Sequence, residues 1–179
     1  CRAAKIFKIM PQLFPELKGK DTIWTDANLQ LCKSITPLFE EMDEDIGFFN
    51  HPYELQCCIY REARACQKKD YDNRKLIRDT VIRYRDEGHP SNWGLPMGRF
   101  ILRRQTDQII EFNEKWWEEI SRGSRRDQLS LPVILRRMAF PFHMFDPASF
   151  SSFSVFRNIS EVEFNNKEEF FVRIFRHKW

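Results

Sequence analysis

The sequence predicts an α/β domain in which a mixed sheet is flanked by helices. Three observations carry that class. Short β-branched and aromatic segments, Thr22-Ile23-Trp24-Thr25, Ile46-Gly47-Phe48-Phe49 and Phe100-Ile101-Leu102, recur along the chain. Between them lie stretches whose apolar residues repeat at helical spacing, such as Ile77, Val81 and Tyr84. At 179 residues, with 42% hydrophobic and 15% aromatic content, the chain fits a single domain that buries a sizeable core. Alternation of this kind favours a layered α/β arrangement over a helical bundle.

Taken in order, residues 2–14 predict a helix, broken near Pro11 and stopped by Pro15. Asp21 to Asp26 predicts a short buried strand, and Leu29-Gln30-Leu31 is extended again after Asp26-Ala27-Asn28. A helix over 35–43 precedes the strand at 46–49, which His51-Pro52 closes. Helices follow over about 59–69 and 73–86. Gly88, Pro90, Ser91, Asn92 and Gly94 then make a loop of turn-forming residues. After the strand at 100–102 come helices over about 106–121 and 125–139. Aromatic strands near 142–145 and 153–157 and a last helix near 167–176 complete the pattern. No internal repeat or interdomain linker interrupts it, so residues 1–179 read as one domain.

Composition excludes several classes. The chain is too apolar for a disordered segment. Its 29 basic and 26 acidic residues are interspersed and leave a net charge of only +3, without the one-signed stripe of a nucleic-acid binder. Five cysteines, Cys57 and Cys58 adjacent, form neither a secreted framework nor a metal-ligand spacing. They read as reduced thiols of a cytoplasmic protein. No run approaches the ~18 apolar residues of a membrane helix. No signal peptide opens the chain, so any targeting segment is expected outside this stretch. The chain starts at Cys1 directly in an apolar-periodic run and is expected to begin inside a helix of a longer fold.

Four groups of residues bear chemistry. Asp26 and Asn28 stand one residue apart at a strand's carboxyl end, where open α/β sheets place ligands. Both offer hard oxygens to an octahedral cation such as Mn²⁺ or Mg²⁺; the same spacing also suits a plain Asx turn. In Ser124-Arg125-Arg126-Asp127-Gln128, Asp127 opens a helix, either as part of a capping box or as a carboxylate aimed at an acceptor hydroxyl. Arg126 is then a partner for phosphate oxygens, or a solvated charge. Trp93 and Gly94, ahead of a strand, form either a sugar-stacking loop or an ordinary packed turn. Of the four histidines, His51 follows a strand, and His143 or His177 is available as a third metal ligand.

In this order the pieces resemble one family, the glycosyltransferase-like domain of plant mucilage and turgor-regulation proteins, bacteria and large viruses. The matching stretches are Lys8–Pro11 through Phe14-Pro15, Ile23–Asn28, Phe49–Pro52, Cys58–Ala63, Tyr84–Gly88, Gly94-Leu95, Trp116–Ile120 and Ser124–Ser130. The resemblance implies a GT-A fold, here expected to lack its N-terminal nucleotide-binding strands, and a metal-dependent transfer of a hexosyl or pentosyl group. The partners it implies are a UDP- or GDP-sugar donor and a carbohydrate acceptor. Together with the residue readings above, this gives Asp26, Asn28 and His143 to a Mn²⁺ or Mg²⁺ ion, Asp127 to catalysis, and His51, Trp93, Gly94, Arg126 and Gln128 to substrate. The chain departs from the family in Asn28, where many GT-A enzymes have a second Asp, and in Pro96-Met97, where an acidic residue often follows Gly-Leu. A non-catalytic sugar-binding or scaffolding module is the alternative expectation. So is a Golgi-luminal location, given an upstream anchor. A lipid hydrolase would need a Ser-His-Asp or zinc-site spacing, which the sequence does not offer.

Overall fold

The computed structural model describes residues 2–51 and 57–156. The helix expected at 167–176, with His177, lies outside them, as does Pro52. A short helical entry, 3₁₀ over Arg2–Lys5 and then α1 (Ile6–Ile9), leads into two single 3₁₀ turns that open at Pro11 and Pro15. Strand β1 (Thr22–Thr25) is followed by β2 (Leu29–Leu31), α2 (Thr36–Glu41) and β3 (Ile46–Asn50). Then come α3 (Ile59–Lys68), α4 (Arg74–Asp86), β4 (Pro96–Arg103), α5 (Asp107–Arg122) and α6 (Asp127–Arg137). The chain continues through β5 (His143–Phe145), α7 (Phe150–Phe153) and β6 (Ser154–Phe156).

Four strands form one mixed sheet in the order β1-β4-β3-β5. β4 is antiparallel to both β1 and β3, and β3 runs parallel to β5. A separate ribbon pairs β2 with β6. β1 is therefore an edge strand and is half-buried throughout, whereas the sequence pattern predicted a buried one. The interior positions fall to β4 and β3, and β4 extends back to Pro96, well before the expected Phe100.

Strand alternation separates two cores. Ile46, Phe48 and Ile101 point to one face, where Ile9, Phe112, Trp116 and Leu131 cover them from α1, α5 and α6. Phe49, Phe100, Leu102 and Phe145 fill the other with Leu38 and Met42. Gly47 belongs to that second face, and a Cβ there would stand 2.6 Å from the Phe145 ring and 2.7 Å from the Met42 sulfur. A third cluster, with Ile59, Ala63, Ile77 and Leu129, joins α3 and α4 to α6.

Local chemistry sets the helix ends. Thr106 caps α5 by accepting from the Ile109 N–H, and Asn73 caps α4 by accepting from Leu76. Glu119 on α5 is buried and accepts from Arg83, from the Tyr84 hydroxyl (2.9 Å) and from Arg137 (2.9 Å), so one carboxylate ties α4, α5 and α6 together. Trp116 donates its indole N–H to Ser130 Oγ at 2.9 Å, pinning α5 to α6.

His89, after α4, is buried, and neither ring nitrogen has a hydrogen-bond partner among the described residues. Burial, with the Arg136 and Arg137 charges, pushes its pKa from 6.5 down to about 4. Below the unfolded value the unfolded chain takes up a proton that the folded chain refuses, so stability falls as pH drops from about 6.5 towards 4. The expected loss between pH 7 and 5 is about 2 kcal/mol. Urea midpoints at the two pH values should draw closer together in His89→Leu, and an unchanged gap would remove His89 from the account.

Candidate active site

A pocket of about 210 Å³ opens where the carboxyl end of β1 meets the first half of β4. Asp26 leaves β1 with its N–H bonded to the Arg99 carbonyl (3.0 Å), while its own carbonyl accepts from Leu29 (2.9 Å) in a tight turn. The Asp26 carboxylate takes the Trp24 indole N–H at 3.1 Å, with Lys8 Nζ at 3.9 Å and Arg99 Nε at 3.8 Å.

Asp127, in the first turn of α6, is the pocket's electrostatic centre. Lys5 donates to Oδ1 at 2.8 Å and Lys8 contacts Oδ2. The Lys8 and Asp127 side chains are only 3% and 6% exposed. Burial by itself would raise the Asp127 pKa, but the two ammonium groups outweigh it and hold the carboxyl well below the usual range. Burial pulls Lys8 the other way, below its ordinary value, against the attraction of Asp127 and Asp26. Lys8 is fixed from behind as well, since the buried Arg103 donates to its carbonyl at 2.6 Å.

Of the two readings for Asp127, the capping box with Ser124 does not form. The Ser124 hydroxyl donates to Asp72 Oδ2 at 2.7 Å, and Arg126 stands at the cap position with no side-chain bond to the helix end. The freed Asp127 turns to the lysines instead. Gln128 spends its amide on β4, accepting from the Gly98 N–H at 2.9 Å and donating to the Pro96 carbonyl. Gly98 leaves room for this group; a Cβ there would stand 3.2 Å from Gln128 Oε1 and 3.4 Å from Lys8 Nζ.

On the opposite wall, α3 presents Glu62 from its buried face, in step with Ile59, Ala63 and Cys66. Cys66 Sγ donates to Glu62 Oε1 at 3.2 Å, and Arg126 lies 4.0 Å from the same oxygen. Burial raises the Glu62 pKa, partly offset by the Cys66 bond and the Arg126 charge. It also pushes the Cys66 thiol up to about 12, so that sulfur stays protonated as a donor. Arg126 stacks over the exposed Tyr71 ring at 4.8 Å, and its Nε–H is buried with no acceptor among the described residues.

Five of the residues singled out from sequence, Asp26, His51, Arg126, Asp127 and Gln128, therefore line one pocket. Four do not. Asn28 sits half-buried in the turn beyond Asp26 and does not line it. Trp93 packs against His89 and Phe142 at the edge of the first core, and Gly94 (φ +106°) serves the turn beside it. His143 opens β5, on the opposite edge of the sheet from β1, and neighbours Glu41 and Phe145. Three strand spacings of ~4.8 Å separate those edges, too far for His143 and Asp26 to share an ion.

Sequence reasoning passed over Lys5, Lys8, Glu62, Tyr71 and Arg99, which with Gly98 complete the lining. Two of these carried a signal. Lys8 interrupts an apolar helical run, and Glu62 occupies a core-facing position of an amphipathic helix; a charge at such a place needs a buried partner.

The donor set does not fit a metal cage. Among the described residues no group of three or more His, Cys, Asp or Glu side chains is arranged to hold an ion. The carboxylate expected to anchor it already faces Lys8 and Arg99. A divalent ion within about 5 Å of one such cation meets a repulsion on the order of 6 kcal/mol at an effective dielectric near 20.

A family model, TOD1/MUCI70, glycosyltransferase-like domain, matches residues 1–158. The chain belongs to that family. Searches of curated proteins and of solved structures found no match. The glycosyltransferase-like domain thus carries its basic pocket at the end of a mixed sheet, and no described helix is long and apolar enough to cross a membrane.

Proposed function

We propose that this glycosyltransferase-like domain transfers a sugar from a UDP- or GDP-sugar to a hydroxyl of a carbohydrate acceptor, on a GT-A-type sheet. The observation that carries the reading is the pocket itself. Four basic side chains, Lys5, Lys8, Arg99 and Arg126, converge there with three carboxylates in a member of a glycosyltransferase-like family. Such a lining suits a diphosphate, whose oxygens accept charge-assisted hydrogen bonds from ammonium and guanidinium groups. Exposed Tyr71 stands at the rim and carries the Arg126 guanidinium over its ring, holding that cation at the pocket mouth.

Within this reading Asp127 positions Lys5 and Lys8 and is a poor base, because both its oxygens are engaged and its pKa is depressed. Glu62 is better suited to take the acceptor's proton, since burial raises its basicity. A pocket carboxylate of that kind supports single displacement with inversion, in which the acceptor hydroxyl loses its proton as it attacks. The leaving nucleoside diphosphate is stabilised by the cations around it.

The test is a panel of UDP- and GDP-sugars offered to the full chain with oligosaccharide acceptors, following transfer and donor hydrolysis by chromatography. Turnover of at least one donor is expected. No turnover together with no nucleoside diphosphate binding would sink the reading and leave a non-catalytic module.

A further inference from the structure

We propose that the pocket holds a diphosphate group by side-chain cations alone, with Lys8 standing between Asp26 and Asp127 where a divalent ion would otherwise be needed. This rests on the reading of the domain as a nucleotide-sugar transferase, and it names how that site recognises its donor.

A bridging metal beside a strand-end carboxylate neutralises the phosphate charge and ties it to an acidic protein. Here the acidic groups are already neutralised from within. Lys8 Nζ contacts Asp127 and lies 3.9 Å from Asp26, and Lys5 and Arg99 take the outer sides of the same two carboxylates at 2.8 and 3.8 Å. Lys8 is 3% exposed and its ammonium is held against Asp127 with Asp26 beside it, so it fills the space between the two carboxylates. The other cations are placed differently. Lys5, Arg126 and Arg99 are 26%, 28% and 45% exposed, open enough to meet an incoming anion. The buried Arg126 Nε–H, with no acceptor among the described residues, is a donor that a phosphate oxygen would satisfy.

The experiment is calorimetry on the full chain with inorganic pyrophosphate, UDP and GDP, in EDTA and again with Mn²⁺ for the nucleotides. Pyrophosphate and at least one nucleotide are expected to bind in EDTA, the nucleotide within about twofold of its affinity in Mn²⁺. Arg99→Gln and Arg126→Gln are each expected to weaken binding roughly tenfold or more. Arg99 is the safer variant because it lies on the surface. Nucleotide binding that appears only with Mn²⁺ overturns the inference and leaves the transferase reading standing. Pyrophosphate binding in EDTA with no binding of UDP or GDP and no turnover of any nucleotide sugar keeps the metal-free anion site and removes that reading. No binding in either condition overturns both.

Discussion

Asp127→Asn is expected to destabilise the fold by about 3–5 kcal/mol, the cost of leaving a buried charge without its partner. The stranded group is Lys8, enclosed among α1, β4 and α6, with Asp26 too distant at 3.9 Å to replace what is lost. Lys5 contributes less, since it can turn to water. Urea denaturation measures the loss. A double variant, Lys8→Met with Asp127→Leu, should recover most of it, because an apolar pair of similar volume avoids the desolvation of both charges. A double variant as unstable as Asp127→Asn would show that the loss is packing and not charge. The pH dependence has a definite sign. The folded pKa of Asp127 is depressed, so its stabilisation is full above the ordinary carboxylate value of about 3.9 and fades as pH falls below it.

Glu62→Gln is expected to lower kcat by about 10²- to 10⁴-fold, the usual contribution of a positioned general base. Glutamine keeps the carbonyl oxygen that accepts from Cys66, so the fold and the binding of UDP or GDP should be nearly unchanged. Loss of kcat without loss of nucleotide affinity separates proton transfer from donor recognition. The acid limb of the pH–rate profile gives an independent signature. Because burial raises the Glu62 pKa, activity should decline on the acid side at a pH above the ordinary carboxylate range, and that limb should disappear in the variant. A variant with normal kcat would remove Glu62 as the base and favour a retaining reaction.

Much of the local structure was legible. Each helix expected between residues 35 and 139 forms within a few residues of its predicted bounds, because amphipathic periodicity and caps such as Thr106 and Asn73 are written in neighbouring residues. The turn after β1 was equally visible in Asp26-Ala27-Asn28. The separation of Asn28 and His143 from the pocket was not. Sequence spacing says which groups are near along the chain, whereas sheet order decides which strand ends lie side by side, and the order β1-β4-β3-β5 puts His143 on the far edge.

The sequence by itself determined the α/β class, the family and the residues Asp26 and Asp127 as the centre of interest, since these follow from local pattern and ordered motifs. What those two carboxylates face was decided only in three dimensions. Lys8 reaches Asp127 across 119 positions of the chain and stands between it and Asp26, while Arg99 closes the other side from β4. A charge's chemistry is set by the charges and the burial within a few ångströms of it, and folding alone assembles that neighbourhood.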